Sequence, residues 1–89
     1  HLEHGFARLK LASVQLARGD RAGARRALER LAAELAAPAG DRPGPAKELL
    51  GRTYWELARA CRALGDHAAA ADAEAKAGPF VKRDWPKKD

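Results

Sequence analysis

The sequence contains no isoleucine, two valines and a single cysteine, and each scarcity excludes a class of structure. β-Branched side chains are enriched in β-strands, so the lack of isoleucine and the scarcity of valine argue against a sheet. The lone cysteine, Cys61, excludes an internal disulfide and a zinc site built from several cysteines. No apolar run approaches the roughly 20 residues that cross a bilayer, and no segment has the layout of a signal peptide. We therefore expect an all-α, cytoplasmic protein without a membrane segment.

Alanine supplies much of the 46% hydrophobic content, which favours helices but leaves little volume for a core. Seventeen Lys and Arg against twelve Asp and Glu give a net charge of +5, a mild attraction for acidic partners. This charge is not the dense basic block of a dedicated nucleic-acid binder. The chain starts at His1 instead of Met, so we expect a piece of a larger protein, and its composition is typical of GC-rich bacterial genomes.

A proline- and glycine-rich loop, residues 37–45, divides the chain into two helical halves because its three prolines and two glycines cannot continue a helix. Apolar periodicity predicts four helices, over about residues 2–18, from after Asp20 to about 36, 46–64 and 67–77. We assign residues 1–79 to one domain of two hairpins, about 2–36 and 46–77. The basic and aromatic tail, 80–89, is expected to cap the last helix, with docking elsewhere as the alternative.

The two halves contain the same pattern at the same internal spacing. Its parts are Leu-Ala on the first helix, six intervening residues, Gly-Asp, three intervening residues, and Ala. They occur at Leu11-Ala12, Gly19-Asp20 and Ala24, and again at Leu57-Ala58, Gly65-Asp66 and Ala70. Gly is a natural helix stop, Asp a natural N-cap, and Ala lets a neighbouring helix approach. A pattern repeated in this way predicts stacked helical hairpins.

This order of residues resembles the tetratricopeptide repeat (TPR) family. The second copy also has Tyr54 at the aromatic position and Ala77 at the late small position, whereas the first has Arg8 and Leu31 there. The copies lie 46 residues apart, against about 34 in the family. The resemblance implies two antiparallel helix hairpins (four helices) stacked as a TPR-like αα-superhelix fragment that binds proteins. A four-helix bundle is the alternative.

No catalytic, cofactor or metal site is expected. Cys61 has no histidine on its helix face and is expected in the core. His1 and His4 lie one turn apart without a third ligand, and His67 is expected at the surface. The glycines do not have the spacing of a phosphate-binding loop. We therefore predict that the chain is not an enzyme.

The candidate partner-binding residues lie on the helix after the loop: Arg52, Trp55, Arg59 and Arg62. Arg52 and Arg59 are seven residues apart and share a face, where they could grip carboxylates. In the TPR family the groove is lined by the first helix of each unit, which implicates Arg59 and, in the first copy, Ser13. A solvated face neutralised by Glu48 and Glu56 is the alternative.

These observations predict a protein-interaction module: a TPR-like scaffold or regulatory sensor segment that binds another protein or an acidic peptide. Two hairpins bury a thin core, so a longer array, the remainder of the parent chain or a homo-oligomer is expected to cover a helix face. A self-assembly element is the first alternative. An Arg-rich, nucleic-acid-associated helical module is the second.

Overall fold

The computed structural model describes residues 2–36 and 44–78, without the side chains of 2, 3 and 44–47. They form four helices: α1, Leu2–Ala17; α2, Arg21–Ala36; α3, Gly44–Ala63; and α4, His67–Ala77. No strand occurs within these two ranges, so the predicted all-α class is confirmed. The predicted loop residues 37–43, the tail 79–89 and His1 lie outside the described residues.

The predicted helix bounds agree with the structure to within two residues. The largest difference is at α3, which begins at Gly44, before its expected start at residue 46. Pro45 is thus the second residue of the helix. A proline fits there because the N–H groups of the first turn have no partner inside the helix.

The same turn ends α1 and α3. Gly19 and Gly65 have φ values of 95° and 83°, in the left-handed region that favours glycine. The N–H groups of Asp20 and Asp66 each donate to the carbonyl five residues earlier, at 2.9 Å. This is the Schellman ending of a helix, and it satisfies carbonyls that would otherwise have no partner. The predicted role of both glycines as helix stops is confirmed.

The aspartate that follows each glycine caps the next helix. Asp20 Oδ1 accepts from the Gly23 N–H, and Asp66 Oδ1 accepts from the Ala69 N–H, both at 3.1 Å. Asp66 also binds the Arg25 guanidinium of α2, with Nη1 and Oδ2 at 3.0 Å. The Ala69 N–H, and then the Arg25 guanidinium, hold the pKa of the Asp66 carboxyl below its usual value. Both aspartates are N-caps, as predicted, and the second also links the two hairpins.

The helices pack as two hairpins joined through α2 and α3. α2 lies against both α1 and α3, and α3 also contacts α1 and α4. Within the described residues α4 packs against α3 alone. The main buried cluster therefore lies where the first hairpin meets α3, and consists of Leu9, Ala12, Leu28, Leu31, Leu49 and Ala60. Each fully buried leucine contributes about 1.5–3 kcal/mol, so this cluster provides most of the apolar stabilisation.

The last helix contributes only alanines to the interior: Ala70, Ala73 and Ala77. Alanines let α4 approach α3 closely, but each buries little surface. On α1, by contrast, large apolar side chains remain at the surface, with Leu11 60% and Phe6 and Val14 each 38% exposed. The first helix thus has apolar residues on more than one face. One face forms the core, and the others are accessible in the monomer.

Candidate partner-binding groove

The four predicted site residues separate into two pairs on neighbouring faces of α3. Arg52 and Arg59 line a groove between α3 and α1. Arg62, by contrast, forms an ion pair with Glu74 of α4. Trp55, seven residues before Arg62 and so on its side of the helix, is half-buried. The structure brings Arg52 and Arg59 to one groove, whereas Arg62 pairs with α4.

The groove consists of two adjoining hollows that share Ser13. The first has a volume of about 360 Å³ and is lined by Phe6, Leu9, Lys10, Ser13, Arg52 and Glu56. The second has a volume of about 250 Å³ and is lined by Ser13, Leu16, Ala17, Arg21, Arg59 and Ala63. Because Ser13 lines both hollows, they adjoin each other along α1 and α3, and together we call them the α1–α3 groove. Ser13 and Arg59, which occupy equivalent positions of the two repeat copies, both line this groove.

Apolar side chains of α1 form one wall of the groove. Leu9 is buried, Leu16 is half-buried, and Phe6 remains 38% exposed, so its ring is accessible to a partner. The Ser13 hydroxyl donates to the Leu9 carbonyl at 3.1 Å. That bond uses the hydroxyl hydrogen within the helix and leaves the serine oxygen as an acceptor. This wall can receive an apolar side chain.

The opposite wall is charged. Arg59 Nη1 donates to both carboxylate oxygens of Glu56, at 3.2 and 3.3 Å. The Glu56 residue is only 5% exposed, whereas the Arg59 side chain is 31% exposed. A nearly buried carboxylate therefore orients a guanidinium that still reaches the surface. These bonds join Glu56 to the residue three positions after it on α3.

Cations outnumber carboxylates along the groove. The lining residues include four cationic side chains, Lys10, Arg21, Arg52 and Arg59, and one carboxylate, that of Glu56. Two of these cations belong to the first hairpin and were not predicted as site residues. The repeat could have indicated that Lys10 lines the groove. The two copies are 46 residues apart, so Phe6 and Lys10 of α1 are equivalent to Arg52 and Glu56 of α3. Equivalent positions on the first helices of stacked hairpins line the same groove.

A separate hollow of about 280 Å³, which we call the alanine-lined hollow, lies among α2, α3 and α4 and was not predicted. Its lining includes four alanines, Ala32, Ala33, Ala69 and Ala73. Small side chains leave this space open, so the alanine content was the available signal. Tyr54 also lines it, with Lys76 Nζ 5.7 Å from the ring centroid.

The charges around the alanine-lined hollow are paired within the chain. Lys76 binds Asp72 at 3.1 Å, and Arg25 binds Glu29 at 3.2 Å. Each carboxylate at the rim, Asp72 and Glu29, thus already has a cationic neighbour on its own helix.

Cys61 also borders the alanine-lined hollow but is only 1% exposed, and burial raises the pKa of its thiol. A buried, protonated thiol is a poor nucleophile, and the predicted core position is confirmed. His4 and His67 are exposed. Across residues 2–36 and 44–78 no three His, Cys, Asp or Glu side chains gather where they could hold a metal ion. None of the described helices combines the length and apolarity that crossing a membrane requires.

The geometry thus defines a groove with apolar side chains on α1, cations from α1, α2 and α3, and one guanidinium oriented by a buried carboxylate. Such a surface can bind an extended segment that carries both carboxylates and an apolar side chain. Comparison with family models, curated proteins and solved structures gives no match to this chain.

Proposed function

We propose that this chain is a non-catalytic, TPR-like protein-interaction module that binds an acidic peptide segment along its α1–α3 groove. In this proposal it is a scaffold or sensor segment of a larger, cytoplasmic bacterial protein. The observation that carries the proposal is the excess of cationic over anionic side chains beside the apolar side chains of α1 in these adjoining hollows.

The assignment to a TPR-like module is supported by two features of the hairpins. Their turns have the same glycine conformation, the same hydrogen bonds and the same aspartate cap, 46 residues apart. In addition, the second helix of the first hairpin packs against the first helix of the next. A stack built in this way leaves the first helices, α1 and α3, side by side along one groove.

The chemistry of the groove favours carboxylates as ligands. Guanidinium groups bind carboxylates through paired hydrogen bonds, and bonds to charged groups contribute about 1.5–3 kcal/mol each. A carboxylate would approach Arg59 and Arg52, while a leucine or phenylalanine of the same peptide would rest against Phe6. The expected ligand is therefore a short acidic segment with one large apolar side chain.

The test uses fluorescence anisotropy with two labelled octapeptides that share one leucine. One carries four Asp or Glu residues, and the other has Asn and Gln in their place. We expect the acidic peptide to bind more tightly, and Arg59→Ala to weaken it roughly tenfold or more, as one charged hydrogen bond implies. Arg26→Ala is the matched control, because Arg26 is exposed on α2 and lines none of these hollows.

Circular dichroism of each variant verifies that helicity is unchanged. Equal affinity for the two peptides, or an Arg59→Ala variant that binds the acidic one normally, would refute the groove. Trp55→Ala should leave this binding unaltered, because Trp55 does not line either hollow. Tight binding of RNA that falls steeply with salt would instead favour the nucleic-acid alternative.

A further inference from the structure

One stripe of α3, formed by Thr53, Leu57 and Ala60, faces the interior of the protein. Thr53 and Ala60 are fully buried, and Leu57 packs against the core cluster that contains Leu28 and Leu31 of α2. These three α3 residues are four and three positions apart, so they form one stripe along the helix. This face is where α3 receives the helix that precedes it in the chain.

The equivalent face of α1, 46 residues earlier, consists of Ala7, Leu11 and Val14. We call it the outer face of α1. All three residues are exposed, with Leu11 at 60% and Val14 at 38%. The stripe has the same spacing as its equivalent on α3 and is fully apolar, yet no described helix covers it. The α3 junction therefore serves as a template for what this surface would bind.

The template defines the chemistry of the occupant. Along α2, the junction uses Leu28, Leu31 and Leu35, which belong to the core cluster or pack against it. One turn before the first of these leucines, Arg25 binds Asp66 across the junction at 3.0 Å. The residue equivalent to Asp66 is Asp20, which is exposed in the turn that follows α1. A helix of the same kind would therefore bring an arginine to Asp20 and leucines to Leu11 and Val14.

The opposite end of the molecule is built differently. In the first hairpin, Leu28 is part of the cluster at the junction with α3, and Leu16 packs against that cluster. Their equivalents in the second hairpin are Arg62 and Glu74, which form an ion pair instead. Polar residues at the end of a repeat array are characteristic of a cap. The side of the molecule that remains apolar is thus the outer face of α1.

We propose that the outer face of α1 binds a partner helix with the pattern Arg-x-x-Leu-x-x-Leu-x-x-x-Leu. Its arginine would pair with Asp20, as Arg25 pairs with Asp66. A second copy of this chain does not supply that helix, because its own matching leucines are inside its core, with Leu28 at 0% and Leu31 at 3% exposure. The partner is therefore a different helical hairpin or a free amphipathic helix.

The test supplies such a helix covalently, which gives it a high effective concentration. Residues 2–47 are repeated immediately before residue 2 of the chain, which keeps the 46-residue register and puts another α2 next to the outer face of α1. We expect thermal unfolding, followed by circular dichroism, to shift upward by about 5 °C or more relative to the 89-residue chain.

Leu11→Glu in the original copy should remove that gain. The same substitution in the 89-residue chain should change the midpoint little, because Leu11 is 60% exposed there. Leu64→Glu is the matched control, since Leu64 is an exposed leucine away from this face, at 42%. In the lengthened chain it should preserve the upward shift.

Three results would overturn the proposal. The first is a lengthened chain with an unchanged midpoint, and the second is a Leu11→Glu cost that is equal in both chains. The third is sedimentation showing that the 89-residue chain dimerises and that Leu11→Glu makes it monomeric, because the occupant would then be a second copy. Binding of the acidic octapeptide is independent of this face, so failure here is distinguishable from failure of the groove.

Discussion

Replacing Gly65 with alanine should destabilise the protein, although the added methyl group meets no neighbour. Gly65 has φ +83°, and a Cβ built on it has nothing within 4 Å. The cost is therefore one of backbone conformation alone. An L-residue in the left-handed region costs about 1–2 kcal/mol, because its Cβ crowds its own carbonyl.

Part of that cost is offset in the unfolded chain. Alanine has fewer accessible conformations than glycine, which favours folding by about 0.4–1 kcal/mol. The net loss should be about 1 kcal/mol, or a fall in the unfolding midpoint of about 4–8 °C for a domain of this size. Gly19, with φ +95° and the same open surroundings, should give a similar value.

Gly78 is the matched control. It ends α4 with φ −44° and ψ −49°, and its Cβ would also meet nothing within 4 Å. Alanine is favoured in this helical conformation, so Gly78→Ala should leave the midpoint unchanged or raise it. Gly65→Asn should cost less than Gly65→Ala, because asparagine tolerates the left-handed region better.

The assay is thermal and urea unfolding of each variant, followed by the circular dichroism signal of its helices. A Gly65→Ala variant as stable as the parent chain, beside a normal Gly78→Ala control, would refute the reasoning. It would mean that residue 65 does not adopt the left-handed conformation on which the turn depends.

Three further outcomes follow from the described contacts. Asp66→Ala should lower the unfolding midpoint more than Asp20→Ala, since it also removes an inter-hairpin ion pair. Because the pKa of Asp66 is lowered in the folded protein, the stability that its carboxylate contributes is complete above about pH 4 and is lost as the pH falls through that lowered pKa, which unfolding measured against pH will reveal. Gly5→Ala should cost about 1–3 kcal/mol in urea unfolding, because its Cβ would collide with the buried Leu49 side chain. Cys61 should react with Ellman's reagent far more slowly than free cysteine until denaturant is added, and fast reaction of the folded protein would contradict its burial.

The candidate site was only partly predictable from the sequence. The seven-residue spacing of Arg52 and Arg59 put both on one helix face, and both line the groove. Arg62 had the same apparent chemistry, but its ion pair with Glu74 depends on how α4 lies against α3. The contribution of Lys10 depends likewise on the contact between α1 and α3. Such pairings depend on the distances between helices, and the spacing of residues along one helix does not determine those distances.

The sequence by itself determined where the helices begin and end. A glycine that must adopt positive φ and an aspartate that caps the following N–H groups act over five residues, so Gly19-Asp20 and Gly65-Asp66 form the same turn wherever they occur. Only the tertiary structure decided which apolar residues are buried. Leu11 and Leu57 occupy equivalent positions of the repeat, yet Leu11 is exposed while Leu57 packs against the core. The difference is the presence of α2 beside α3, because burial depends on a neighbouring helix and not on the residue itself.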